Sequence, residues 1–156
     1  MNEGYSPKDL KFDDKGRSLL ISGIEKLSKA VKSTLGPSGN TVLIESPHHT
    51  HGITVTKDGV TVAKAVDLVD PVENLAVRMM KEAAERTATS AGDGTTTAIV
   101  LTESLVTAGS TLFSENLSLN RTMVLRSLVS MTNDVVESLK KRSRPLTKKM
   151  LLDVAT

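Results

Sequence analysis

The sequence predicts a mainly α-helical fold carrying one small β-hairpin, and three observations point there. Hydrophobic residues make up 38% of the 156 residues while aromatic residues make up only 2%, with no Trp. An aliphatic core of that kind suits packed helices better than a sandwich or barrel. Apolar residues also recur at helical spacing through most of the chain, and just two short runs, at residues 41–45 and 53–56, are β-prone. The length amounts to one domain or a piece of a larger one.

Residues 1–14 read as an N-terminal arm, polar up to about residue 10. From about Lys15, Leu20, Ile24, Leu27 and Val31 fall on one helical face, a core-facing stripe. It stops at Thr34, Leu35, Gly36 and Pro37, where Gly supplies a left-handed C′ position and Pro forbids continuation. The two β-prone runs flank His48, His49 and His51. With no cysteine, one nearby acid and no helical spacing, these histidines favour a solvated hairpin tip over a metal site. Thr56, Lys57, Asp58 and Gly59 then form a turn into a short apolar stretch. Asp70 at the N-cap, Pro71 at N1 and Glu73 at N3 give a capping box for a helix running through Leu75, Ala76, Met79, Met80, Ala83 and Ala84 toward Ala88. A further helix carries Ile99, Leu101, Leu105 and Val106 and is expected to end near Gly109, followed by an irregular stretch at residues 110–119. Asn120 caps a last long helix with Leu125, Leu128, Val129, Val135, Val136 and Leu139 on one face. Lys140, Lys141, Arg142 and Arg144 sit at its end as partners of the helix dipole.

Charge excludes some functions. Twenty Lys and Arg against 18 acids give a net charge of +2, too mild for a nucleic-acid binder, and aromatic platforms for stacking bases are missing. Without cysteine there is no disulfide framework, which fits a reducing compartment and an expected cytoplasmic location. No targeting segment and no membrane-spanning stretch are expected.

One run carries chemistry: Gly92, Asp93, Gly94, Thr95, Thr96 and Thr97, followed at once by an apolar helical pattern. Free N–H groups and the positive end of the dipole collect at such a helix start, so a phosphate can be held without a lysine. The threonine hydroxyls add donors, and Asp93 suits a Mg²⁺ that bridges phosphates. The same residues also read as an ordinary helix start with Asp93 or a threonine as N-cap. The run alone leaves both readings open, and it matches neither a Walker A motif nor a dinucleotide fingerprint.

Three polar turns, TLGP at residues 34–37, TKDG at 56–59 and GDGTTT at 92–97, occur in an order and at separations that closely resemble the group I chaperonins, the GroEL-type ring proteins. Asp9, Leu10, Lys11 and Phe12 are similar to that family's opening segment, and the resemblance covers nearly the whole chain. It implies a chaperonin equatorial-domain-like helical bundle, with residues 15–156 as the N-terminal segment of an ATP-binding domain. It further implies that Thr34, Leu35, Gly36 and Pro37 lie along the nucleotide and that Lys57 offers its backbone near a monovalent cation such as K⁺. Asp58 would act in hydrolysis at the γ-phosphate, Asp93 would ligate Mg²⁺, and Gly94, Thr95, Thr96 and Thr97 would bind phosphates. Phosphoryl transfer at such a site is mainly positioning and charge stabilisation. The implied partners are identical subunits in a ring, non-native client proteins that are encapsulated and refolded, and a GroES-type co-chaperonin. The hairpin and the N-terminal arm would pair between subunits, which protects short strand edges.

Departures from the family pattern accompany the resemblance. Ser38, Gly39 and Asn40 stand where the family has a basic residue, Gly and a second basic residue, so nucleotide binding is expected to be weakened or retuned. The signature of the family's last equatorial helix is reduced to Asn120 with Arg121 and Arg126 with Ser127, a divergence that a viral chaperonin would fit. The resemblance implies that the intermediate and apical domains, the second catalytic aspartate and the nucleobase-side residues are expected to lie outside these 156 residues. A fragment of a longer chain, inactive alone and with apolar surface exposed, is the expectation. The alternative is a non-hydrolysing assembly module that inserts into a chaperonin ring. An unrelated small phosphotransferase ranks last, because no general base or acceptor pocket is visible beyond Asp58 and Asp93.

Overall fold

Helix α1, Asp13–Lys32, opens with Asp13 and Asp14 and closes with Lys29 and Lys32, charges matched to its dipole. The computed structural model describes residues 10–45 and 52–155. Within them the order is α1, β1 (Val42–Glu45), β2 (Ile53–Thr56), α2 (Gly59–Ala65), α3 (Pro71–Ala91), α4 (Thr95–Glu115), α5 (Arg121–Arg142) and α6 (Lys148–Ala155). About 70% of the described residues are helical, a mainly α fold with a two-strand hairpin. The first nine residues of the expected arm and the histidine loop, with His48, His49 and His51, lie outside the described residues.

Residues 1–111 form one unit. Helix α1 packs along α3 and against α2, and β1 touches α2. Its core joins Leu27 and Val31 of α1, Val62 and Ala63 of α2, Val77, Met80 and Ala84 of α3, and Ile99 of α4. Ile24 packs against this cluster from the expected face of α1. On α3 the buried stripe is Ala76, Val77, Met80 and Ala84, whereas Leu75 and Met79 are exposed, so only one of the two methionines fills the core. The hairpin is antiparallel, with Val42 opposite Thr56 and Glu45 opposite Ile53.

Helices α1 and α3 meet closely at Gly23. A Cβ there would stand 2.9 Å from the backbone Cα and C of Glu73. Asp70 caps α3, its carboxylate accepting the N–H groups of Val72 at 2.8 Å and Glu73 at 3.0 Å. The expected capping box is only half formed. Glu73 turns its carboxylate to α1, accepting from Ser22 Oγ at 2.8 Å and Lys26 Nζ at 2.6 Å. Lys32 at the end of α1 reaches α4, with Nζ 2.7 Å from Glu103 Oε2.

The apolar stretch after Asp58 is a helix, α2, capped by Asp58. Two expectations are corrected here. Helix α4 passes through Gly109 and ends at Glu115, so the irregular stretch shrinks to residues 116–120. A glycine inside a helix costs only about 1 kcal/mol, too little to end one alone. Helix α4 is also, by length and composition, apolar enough to cross a bilayer. Its Ser and Thr residues weigh little in hydropathy, and it carries just Glu103 and Glu115 as charges.

Residues 112–156 form a second unit. Asn120 Oδ1 caps α5 by accepting Met123 N–H at 3.2 Å, and the Arg121 guanidinium lies 5.5 Å from the centre of the Phe113 ring. No residue of α5 is buried, and Leu125, Leu128, Val129, Val135, Val136 and Leu139 are all exposed.

Candidate functional site

The TLGP turn folds back on the end of α1. The helix closes at Ser33, two residues earlier than a C′ position at Gly36 implies, and Thr34 Oγ1 donates to Val31 O at 2.8 Å. Gly36 is left-handed, at φ +81°, but within the loop and not at the helix C′ position. Gly39 N–H donates to Gly36 O at 3.0 Å and Asn40 N–H to Ser33 O at 2.7 Å, closing the loop. A Cβ on Gly39 would overlap the Thr34 carbonyl, so this glycine is required by close approach. Thr34 is buried, whereas Leu35, Gly36 and Pro37 face solvent.

In the TKDG turn, Asp58 N–H donates to Thr56 Oγ1 at 3.0 Å and Lys57 is exposed. The Asp58 carboxylate caps α2: Oδ1 accepts Val60 N–H at 3.2 Å, and Oδ2 accepts Thr61 N–H at 3.0 Å and the Thr61 hydroxyl at 2.6 Å. The Thr61 hydroxyl is the main cause that holds this carboxyl below the usual carboxylate range. Its slight burial opposes the effect, while the two N–H groups and the Lys64 charge add to it. Asp58 is therefore an exposed anion at a helix start.

Gly92 ends α3 in the left-handed region at φ +79°, its N–H on Ala88 O. Gly94, at φ +92°, accepts Ala98 N–H at 2.8 Å and so takes the cap position of α4. Neither Asp93 nor a threonine is the N-cap. Asp93 Oδ1 accepts the neighbouring Gly94 N–H at 2.6 Å, and the residue is exposed. Among the described residues no backbone acceptor meets the N–H groups of Thr95, Thr96 and Thr97, the orphan donors of a helix start.

The three turns converge. A Cβ on Gly59 would overlap Thr96 Oγ1 and lie 3.1 Å from Thr34 Oγ1, so both hydroxyls crowd the first residue of α2. Turns separated widely in sequence thus present a helix N-terminus, two exposed carboxylates and several hydroxyls on one region. Sequence reasoning missed Gly59 as the meeting point and Thr61 as the partner of Asp58. Glycine within TKDG and a hydroxyl residue three places after Asp58 were the available signals.

No group of three or more His, Cys, Asp or Glu assembles among the described residues. Mg²⁺ characteristically takes one or two carboxylates and completes its shell with phosphate oxygens and water, so Asp93 beside free N–H groups is a donor set that fits a Mg-phosphate.

Among solved structures, the chain is similar to the chaperonin gp146 from the bacteriophage EL 2 (Pseudomonas aeruginosa), crystallised in the presence of ATP-BeFx. The TM-score is 0.71 at 28% sequence identity over 85% of this chain. The chain spans 22% of that chaperonin's length. A family model described as the TCP-1/cpn60 chaperonin family matches residues 27–156. With its helical architecture and its three converging turns, the chain belongs to the TCP-1/cpn60 chaperonin family.

Proposed function

We propose that the chain is the nucleotide-binding part of an ATP-dependent, protein-folding chaperonin subunit. The observation that carries this reading is Gly59 flanked by the hydroxyls of Thr34 and Thr96, which gathers the three polar turns at one helix N-terminus. The similarity to a phage chaperonin crystallised with ATP-BeFx supports it.

Thr95, Thr96 and Thr97 offer backbone N–H groups and hydroxyls to phosphate oxygens, helped by the dipole of α4. The flexible Gly94 lets the chain approach the phosphates closely, and Thr34, Leu35, Gly36 and Pro37 border the nucleotide. Asp93 holds Mg²⁺, which supplies charge neutralisation at the phosphates. Lys57 contributes its carbonyl toward a monovalent cation such as K⁺. Asp58, kept anionic by Thr61, is the residue on this chain suited to orient a water at the terminal phosphate. The complete subunit works as a ring of identical copies in the cytoplasm, encloses non-native protein and takes a GroES-type lid.

Mg-ATP titration of the chain by calorimetry tests the reading. Asp93→Ala is expected to weaken binding by about tenfold or more. Unaltered affinity in that variant overturns the site assignment.

A further inference from the structure

The first turn of α4 carries the phosphate-facing N–H groups, yet α4 is held in its unit by few anchors. Thr95 and Ile99 are its buried residues, one turn apart at its start. A helix anchored over a single turn can pivot, and the next tie along it is Glu103, about 12 Å from Thr95 at 1.5 Å per residue. Glu103 Oε2 accepts Lys32 Nζ at 2.7 Å. Lys32 is the last residue of α1 and precedes Thr34 by two positions.

The pair is better placed than a surface ion pair. The Glu103 side chain is 16% exposed and that of Lys32 41%, so water screens their attraction incompletely. Lys32 also stands in the last turn of α1, where the helix dipole favours a cation. The carboxylate that binds Lys32 belongs to the helix whose start faces the phosphates, and the cation belongs to the helix from which the TLGP turn departs.

We propose that Lys32 and Glu103 are a positioning pair that sets the gap between the turn at residues 34–37 and the N–H groups of Thr95, Thr96 and Thr97, and thereby the affinity for a nucleoside triphosphate. This rests on the nucleotide-site reading above. The pair touches no nucleotide itself. Its attraction fixes the angle of α4 on the end of α1, while the Thr34–Gly59–Thr96 contact fixes the distance of closest approach.

The experiment is Mg-ATP titration of the full chain in five forms: parent, Lys32→Glu, Glu103→Lys, the double reversal, and Asp93→Ala. Each single reversal should weaken Mg-ATP about tenfold, and the double reversal should return affinity to within about threefold of the parent. Far-UV circular dichroism checks that each variant is folded. Glu103→Gln, which keeps the shape and removes the charge, gives a milder loss of about threefold where a reversal fails to fold. Thermal midpoints that fall in the single variants while Mg-ATP affinity holds would mean a purely structural pair and overturn the proposal, as would a double reversal no better than the worse single. When Asp93→Ala abolishes binding and the Lys32 and Glu103 variants leave it unmoved, the positioning pair alone falls. When Asp93→Ala also leaves it unmoved, the nucleotide-site reading falls and takes the pair with it.

Discussion

Glu73 holds the third position of α3, yet its carboxylate bonds across to α1, where Lys26 Nζ lies 2.6 Å from both of its oxygens. Ser22 Oγ adds a third hydrogen bond at 2.8 Å. Gly23, between these partners on the same helix, lets the two backbones approach closely enough for the bonds to form. One side chain therefore ties the start of α3 to the middle of α1.

Lys26, and then Ser22, hold the Glu73 carboxyl below the ordinary glutamate range, against opposing effects of burial and of the Asp70 charge. A carboxyl depressed in the folded state adds stability that is present above its unfolded pKa and is lost as pH falls through the folded value. Glu73→Gln should lower the thermal midpoint at pH 7 by roughly a few degrees. Its midpoint should also decline less steeply than the parent's once the pH drops below about 4.3, the ordinary glutamate value. Midpoints measured from pH 7 to pH 3 check this, and parallel curves for the two proteins would contradict it.

Gly59→Ala sets two effects against each other. Alanine favours a helix over glycine by up to about 1 kcal/mol, but its Cβ would overlap Thr96 Oγ1, and overpacking costs about 1–3 kcal/mol. The clash should win, with a net loss of about 1–2 kcal/mol in urea unfolding and weaker Mg-ATP binding. Adding Thr96→Ala removes the obstructing hydroxyl and should recover most of the stability without recovering the binding.

Asp58 carries two roles that substitution can separate. Asp58→Ala deletes the cap of α2 and should cost about 1 kcal/mol, whereas Asp58→Asn retains an acceptor for the Val60 and Thr61 N–H groups and should cost a few tenths. Both variants should lose ATP turnover in the assembled chaperonin, because the anion is gone in each. Equal turnover in parent and Asp58→Asn would remove Asp58 from hydrolysis and leave it a cap.

What the sequence made legible was local. Asp70 and Asn120 announce helix starts because their side chains bond N–H groups two or three residues on. The core positions of α1 followed from their spacing. Choices between a local and a distant partner were not legible. Glu73 satisfies the pattern of a capping box, but a lysine 47 residues away holds its carboxylate instead. Gly109 resembles a helix stop, yet α4 continues because one glycine is cheap. For the site, the three motifs were readable as separate turns. Their meeting at Gly59 depends on how α1, α2 and α4 pack, which no single motif encodes.

Helix α5 leaves most of its large aliphatic side chains exposed, and that has a calorimetric meaning. The heat-capacity increment of unfolding, like the denaturant slope, scales with apolar surface newly hydrated. Leu125, Val129, Val136 and their neighbours are hydrated already, so melting α5 erases ellipticity while adding little to the increment. Among the described residues the increment comes chiefly from the cluster around Leu27, Val31, Val77 and Ile99.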